Sequence, residues 1–156
     1  MEEIEEKFYI DRIKYIPHNL KFLDYKRIDQ KYLAINENSE LRLRRTLIDN
    51  TTDYELTYKL GTGKVRKEET LKIDNKTGNI LYENIDHIPI SKKRYEIEYK
   101  DKIIELDVFL SPDDLILAEI EFETVDEMFG FDYPDWFGAN IGMKNVDIYK
   151  ELNGLD

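Results

Sequence analysis

The sequence predicts a mainly β (α+β) protein: eight mostly antiparallel strands, closed as a barrel or packed as a sandwich, with few helices. Three observations point that way. Apolar and charged residues alternate with a period of two along most of the chain. Polar turn clusters such as NENS, IDNTTD, GTGK and YKDK recur at hairpin spacing. Helical signals are confined to short stretches.

Taken in order, the first strand is read over 3–10, where Glu3, Glu5 and Lys7 share one phase and Ile4, Phe8 and Ile10 the other. A short helix is expected near PHNLKFLDYK (17–26), followed by strands over 31–35 and 40–47. In the latter, Arg42 and Arg44 face away from Leu41 and Leu43. The fourth strand, 53–60, sets Glu55, Thr57 and Lys59 against Tyr54, Leu56 and Tyr58. GTGK then reads as a hairpin turn, since it lacks the spacing and the following helix of a phosphate loop. The fifth strand, 64–73, carries Arg66, Glu68, Thr70 and Lys72 on one phase, and NKTGNILYEN allows a turn or two of helix. Strands over 93–100, 103–109 and 117–123 place Lys92, Arg94, Glu96 and Glu98, then Glu105 and Asp107, then Glu119, Glu121 and Glu123, each opposite an apolar row. A helix opens at the capping-box-like Thr124 to Glu127, and another occupies NVDIYKEL. Tyr54, Tyr58, Tyr95 and Tyr99 are expected in an outer core under the helices, with Trp136 and Phe137 packed on the sheet. His18 and His87 read as exposed bystanders.

Composition narrows the function. At 156 residues with 41% hydrophobic content, one domain (1–156) with a real core is expected. The absence of Cys excludes disulfides and thiolate metal sites and fits a cytoplasmic location. An acidic start with no apolar run after it resembles neither a signal peptide nor a membrane span. A formal charge of −11 opposes passive binding to nucleic acid or anionic lipid, so no nucleic-acid or membrane partner is expected.

A solvated sheet face would also alternate. This charged phase, however, is poor in uncharged polar residues, and its signs segregate: the first, seventh and eighth strands are mainly acidic, while the third, the fourth and the start of the sixth are basic. Carboxylates without thiols suit hard cations such as Mg²⁺ or Mn²⁺. Arginine and lysine suit phosphate oxygens. The two together describe a metal-phosphate site, the combination phosphoryl transfer requires.

These residues resemble the CYTH, or triphosphate tunnel metalloenzyme, superfamily, and in particular a bacterial inorganic triphosphatase. The resemblance rests on Glu3-x-Glu5-x-Lys7, ELRLR (Glu40 to Arg44), Lys59 in LTYK, Arg66 followed by Glu68, KKRY (Lys92 to Tyr95), ELDVF (Glu105 to Phe109), EIEF (Glu119 to Phe122) and DWFG (Asp135 to Gly138), all in family order. It implies a closed eight-stranded antiparallel tunnel barrel with a charged interior and a few peripheral helices, hydrolysing a triphosphate, with inorganic tripolyphosphate first in line and Mg²⁺ or Mn²⁺ as cofactor. It further implies Glu3, Glu5, Asp107, Glu119 and Glu121 as metal ligands, with Glu105 in support. Lys7, Arg42, Arg44, Lys59, Arg66, Lys92 and Arg94 become phosphate ligands, and Glu5, Glu68 and Lys92 catalytic candidates. A small-molecule triphosphate is the expected partner, and a homodimer is compatible with it. The alternatives are a nucleotide cyclase, a nucleoside or thiamine triphosphatase, and a non-catalytic triphosphate- or polyphosphate-binding module. The pattern departs from the family at Thr70, where a second acid would continue Glu-x-Glu, and at Glu6, whose phase places it outside the tunnel.

Overall fold

A computed structural model describes residues 1–156. Eight strands close into one barrel: β1 (Glu2–Tyr9), β2 (Lys21–Ile35), β3 (Ser39–Ile48), β4 (Thr51–Leu60), β5 (Val65–Ile73), β6 (Ile90–Tyr99), β7 (Lys102–Ser111) and β8 (Ile116–Phe122). Around the barrel the order is β1-β5-β4-β3-β2-β6-β7-β8, and every neighbouring pair is antiparallel. Closure removes the unpaired edges that an open sheet would expose. It also turns the charged phase of each strand inward, so the alternation read from the sequence describes an interior and an exterior of opposite chemistry. No helix is long and apolar enough to cross a membrane.

Two of the three apolar clusters therefore lie outside the barrel wall. Ile4, Ile97, Ile104, Leu106, Ala118, Ile120 and Phe122 form one outer cluster, covered by the aromatic run Phe131, Tyr133, Trp136 and Phe137 and by α2 (Val125–Phe129). Thr124 caps that helix, accepting from Glu127 N at 3.1 Å. A second cluster sits under α1 (Asn75–Asn84), where Tyr82 packs on Leu43 and Tyr54. Asp74 caps α1 through Thr77 N at 2.8 Å. Lys31 donates to the carbonyls of Tyr82 and Ile85 at the other end, both at 2.9 Å, supplying the positive charge that the last turn of the helix lacks. A third cluster plugs one barrel end: Ile148 and Tyr149 of α3 (Asn145–Leu152) pack on Tyr32, Ile90, Phe109 and Leu117.

The helix expected over 17–26 is not there. Residues 21–35 form one long strand, preceded by a single 3-10 turn at Ile13–Tyr15. The register of β2 against β6 shifts between Phe22 and Asp24, and against β3 between Tyr32 and Ala34. Each irregularity breaks the two-residue period, and the first leaves the adjacent apolar pair Phe22-Leu23 to imitate a helical spacing. Tyr54 is buried as expected, whereas Tyr58 is exposed on the outer face beyond the reach of α1. His18 and His87 are exposed, and His87 Nδ1 lies 2.7 Å from the Tyr149 hydroxyl.

The ladder between β1 and β5 covers only three residue pairs, Glu2 to Ile4. Beyond it, residues 138–141 run alongside β1: Tyr9 N donates to Ala139 O at 2.9 Å, Gly138 N to Tyr9 O at 2.7 Å and Ile141 N to Lys7 O at 2.9 Å. This pairing accounts for the glycine of DWFG, since a Cβ on Gly138 would sit 2.6 Å from Tyr9 O.

Candidate metal and phosphate site

The inward residues enclose a cavity of about 160 Å³ lined by fifteen side chains, none of them hydrophobic. Seven are acids, seven are bases, and the remaining one is Asn145 at the start of α3. Strand β1 supplies Glu3, Glu5 and Lys7; β3 supplies Glu40, Arg42 and Arg44; β4 supplies Lys59; β5 supplies Arg66 and Glu68. Strand β6 adds Arg94, β7 Glu105, and β8 Glu119 and Glu121. Sequence pattern alone does not mark Lys26, Glu40 or Asn145: the helical spacing over 17–26 masks Lys26, though its strand continues the alternation toward Gln30, and Glu40 stands at the very start of ELRLR.

Three carboxylates converge. Glu3, Glu5 and Glu121 each present an oxygen within 4.8 Å of the others, at the barrel end where β1 begins and β8 ends. Burial first, then the neighbouring Glu119, pushes Glu5 up to about 7. Glu121 is likewise pushed up to about 7, by desolvation and by the charges of Glu105, Glu3 and Glu5. Desolvation and a hydrogen bond with Glu68 also raise Glu3. Carboxylates that resist ionising together are what a hard divalent cation relieves, so the donor set fits such an ion.

Glu119 and Asp107 are committed elsewhere. Glu119 lies 3.2 Å from Lys7 Nζ; burial opposes its ionisation, yet Lys7, Arg94 and Lys92 hold it well below the usual carboxylate range. Asp107 accepts from Arg94 Nε and a terminal nitrogen, both at 2.8 Å, and lies 2.7 Å from Lys92 Nζ. Lys92 and Asp107 are wholly inaccessible and sit behind the cavity wall rather than on it. Burial, against the pull of Asp107, pushes the Lys92 amine down to about 8.

The bases divide by how far they are neutralised. Lys59 reaches Glu3 at 3.0 Å and Glu68 at 3.4 Å, Arg66 reaches Glu40 at 3.4 Å, Lys26 reaches Glu96 at 3.1 Å, and Arg94 reaches Glu105 at 2.7 Å. Arg42 and Arg44 have no carboxylate within salt-bridge distance: Arg42 Nε is buried without a partner, and Arg44 donates only to the neutral Gln30. Burial, with Arg42 and Arg94 nearby, pushes Arg44 down to about 9. In the strand order β3 stands four places from β8, directly across the barrel. One wall thus carries converging carboxylates and the wall facing it carries unspent guanidiniums.

No family profile matches the chain. An inorganic triphosphatase from Nitrosomonas europaea is 32% identical to it over 151 residues, covering 90% of this chain and 89% of that protein. The solved structure of the inorganic triphosphatase NE1496 superposes with a TM-score of 0.65 at 28% identity, over 94% of this chain and 93% of that one. PH1819 from Pyrococcus horikoshii OT3 reaches a TM-score of 0.68 over 96% of this chain and 98% of its own, but at 18% identity it is similar in fold alone. With a third of its residues shared along nine-tenths of both sequences, and with the closed barrel and charged interior described above, this chain belongs to the inorganic triphosphatase family, within the CYTH superfamily of triphosphate tunnel metalloenzymes.

Proposed function

We propose that this chain is a cytoplasmic, divalent-metal-dependent triphosphatase that hydrolyses inorganic tripolyphosphate. The observation that carries the reading is the segregated cavity: a carboxylate triad on one wall, two uncompensated arginines on the other, and no apolar surface between them. A nucleoside base would need an apolar or stacking seat. The lining provides none, which favours an inorganic substrate over a nucleotide and over a cyclase reaction.

Glu3, Glu5 and Glu121 are the residues that would hold Mg²⁺ or Mn²⁺, with Glu119 and Glu105 next to them. When bound, the ion supplies charge neutralisation on the non-bridging phosphate oxygens. Arg42 and Arg44, aided by Lys7, Lys59, Arg66 and Arg94, bind the rest of the triphosphate and oppose the charge that gathers on its oxygens as the transition state forms. One Glu68 oxygen is buried and makes no hydrogen bond within the protein, although the Lys59 ammonium lies 3.4 Å from it. Burial disfavours its charge, but Glu3, Lys59 and Arg42 keep it ionised below the ordinary carboxylate value, so it is placed to orient water. That water's oxygen bonds to the terminal phosphorus, the bridging P–O bond breaks, and orthophosphate and pyrophosphate leave; the water proton passes through Glu68 to solvent. Lys92 acts through Asp107, bracing Arg94 from behind.

A panel of tripolyphosphate, ATP and thiamine triphosphate with Mg²⁺, Mn²⁺ or Ca²⁺, scored for phosphate and for cyclic nucleotide, tests the proposal. Orthophosphate from tripolyphosphate, lost in chelator, is the expected result. A cyclic product, or binding of tripolyphosphate without turnover under every metal, would replace this reading.

A further inference from the structure

Arg44 is distinguished from its neighbours by what holds it. Its Nε donates to Gln30 Oε1 at 2.7 Å, and neither terminal nitrogen makes a hydrogen bond within the protein. Gln30 is completely buried and stands directly opposite Arg44 in the β2–β3 ladder and opposite Ile90 in the β2–β6 ladder. The orientation of its amide is settled by that bond: turned over, it would set an NH2 group against a guanidinium, two donors face to face. In the observed orientation Gln30 Nε2 is buried and has no acceptor, a cost the fold tolerates at this position. Gln30 does not line the cavity, so it does not meet a ligand itself.

From this arrangement we infer that Gln30 is a positioning residue that fixes the Arg44 guanidinium without neutralising it, leaving the edge formed by its two terminal nitrogens to take a phosphate in a bidentate grip. The side-chain type is decisive. A carboxylate of the same shape would also grip Nε, but would cancel the charge that the ligand is meant to meet. Five other cavity bases, Lys7, Lys26, Lys59, Arg66 and Arg94, do have carboxylate partners, so a neutral partner is an exception in this interior. The same position therefore tunes how strongly the tunnel prefers a highly charged oxyanion. The inference rests on the triphosphatase reading and deepens it.

The test is calorimetric titration of tripolyphosphate into the metal-free protein, with steady-state kinetics alongside, for wild type, Gln30→Glu and Gln30→Met. Binding should weaken about tenfold or more in Gln30→Glu, with KM rising in step, as expected when a charge-assisted bidentate contact is forfeited. The melting temperature of the free Gln30→Glu protein should hold or rise, because a buried guanidinium gains a counter-charge. Gln30→Met, which keeps the length but removes the grip on Nε, should weaken binding several-fold in the wild-type background and by less than about twofold when Arg44 is already Ala. If wild type neither binds tripolyphosphate nor releases orthophosphate from it when Mg²⁺ or Mn²⁺ is supplied, the functional reading falls and this inference with it. If wild type binds and both variants stay within about twofold of it, or if Gln30→Met costs the same with and without Arg44, Gln30 does not act through Arg44 and the inference alone is overturned.

Discussion

Ionisation of the carboxylate triad should make stability depend on pH and metal in a linked way. The perturbation is a pH series from 5 to 8 in chelator, repeated with excess Mg²⁺ or Mn²⁺. Glu5 is 7% exposed, and its carboxyl is pushed from 4.5 to about 7. A folded-state value raised above the unfolded one means that the folded protein holds its proton longer. The stability this confers is full below about 4.5 and disappears as pH rises through about 7. For Glu5 alone the displacement is worth roughly 3 kcal/mol. In a chain of 156 residues that corresponds to about 6–12 °C in Tm. Glu3, Glu105 and Glu121 shift in the same direction and add to the slope. On the proposed assignment a divalent ion takes the ionised triad, so it should restore Tm at pH 8 and change little at pH 5. Glu5→Gln should flatten the pH response in chelator and abolish most of the metal response. Differential scanning calorimetry at fixed ionic strength measures all three curves. A metal-free Tm that rises from pH 6 to 8, or a metal-induced shift equal at pH 5 and pH 8, would refute the argument.

Other substitutions separate the roles of neighbouring charges. Glu119→Gln leaves Lys7 buried beside a neutral amide and should cost about 3–5 kcal/mol in urea unfolding, whereas Glu121→Gln, at the open end of the tunnel, should cost little stability but lower metal affinity by at least about tenfold in a competition titration. Arg42→Ala removes a buried cation without a carboxylate partner, so the free protein should lose little or no Tm, while the stabilisation free energy gained on adding tripolyphosphate, read from the ligand-induced Tm shift, shrinks by roughly 1.5–3 kcal/mol. Gly78→Ala drives a Cβ to 2.2 Å from Tyr54 Cγ under α1 and should destabilise by about 1–3 kcal/mol with KM unchanged, as read from thermal unfolding and kinetics together.

The two-residue period alone determined that this chain makes strands with one charged and one apolar phase, and it placed seven of the eight strands and the last third of β2, because in a pleated strand side-chain direction is a local property of the backbone. The motif order then marked the acids and bases of the interior, Glu3 to Lys7, Arg42, Arg44, Lys59, Arg66 and Glu121 among them. Local pattern failed at 17–26, where a register shift in β2 between Phe22 and Asp24 interrupts the alternation and ladder pairing with β6 overrides the helical spacing. That masks Lys26, a cavity base; Gln30, the neutral partner of Arg44, falls between the expected helix and the strand expected over 31–35. Which charges neutralise one another was also beyond the sequence. The phase of a strand says that Asp107 and Glu119 point inward, but pairing distances come from register and closure across eight strands. The register of the β6–β7 hairpin engages Asp107 with Arg94 and Lys92, while closure of β1 on β8 engages Glu119 with Lys7 and lets Glu3, Glu5 and Glu121 converge. Residues far apart in the chain meet only when the barrel shuts, and Coulomb energies that fall with distance then decide which of them stay charged and which remain free for a ligand.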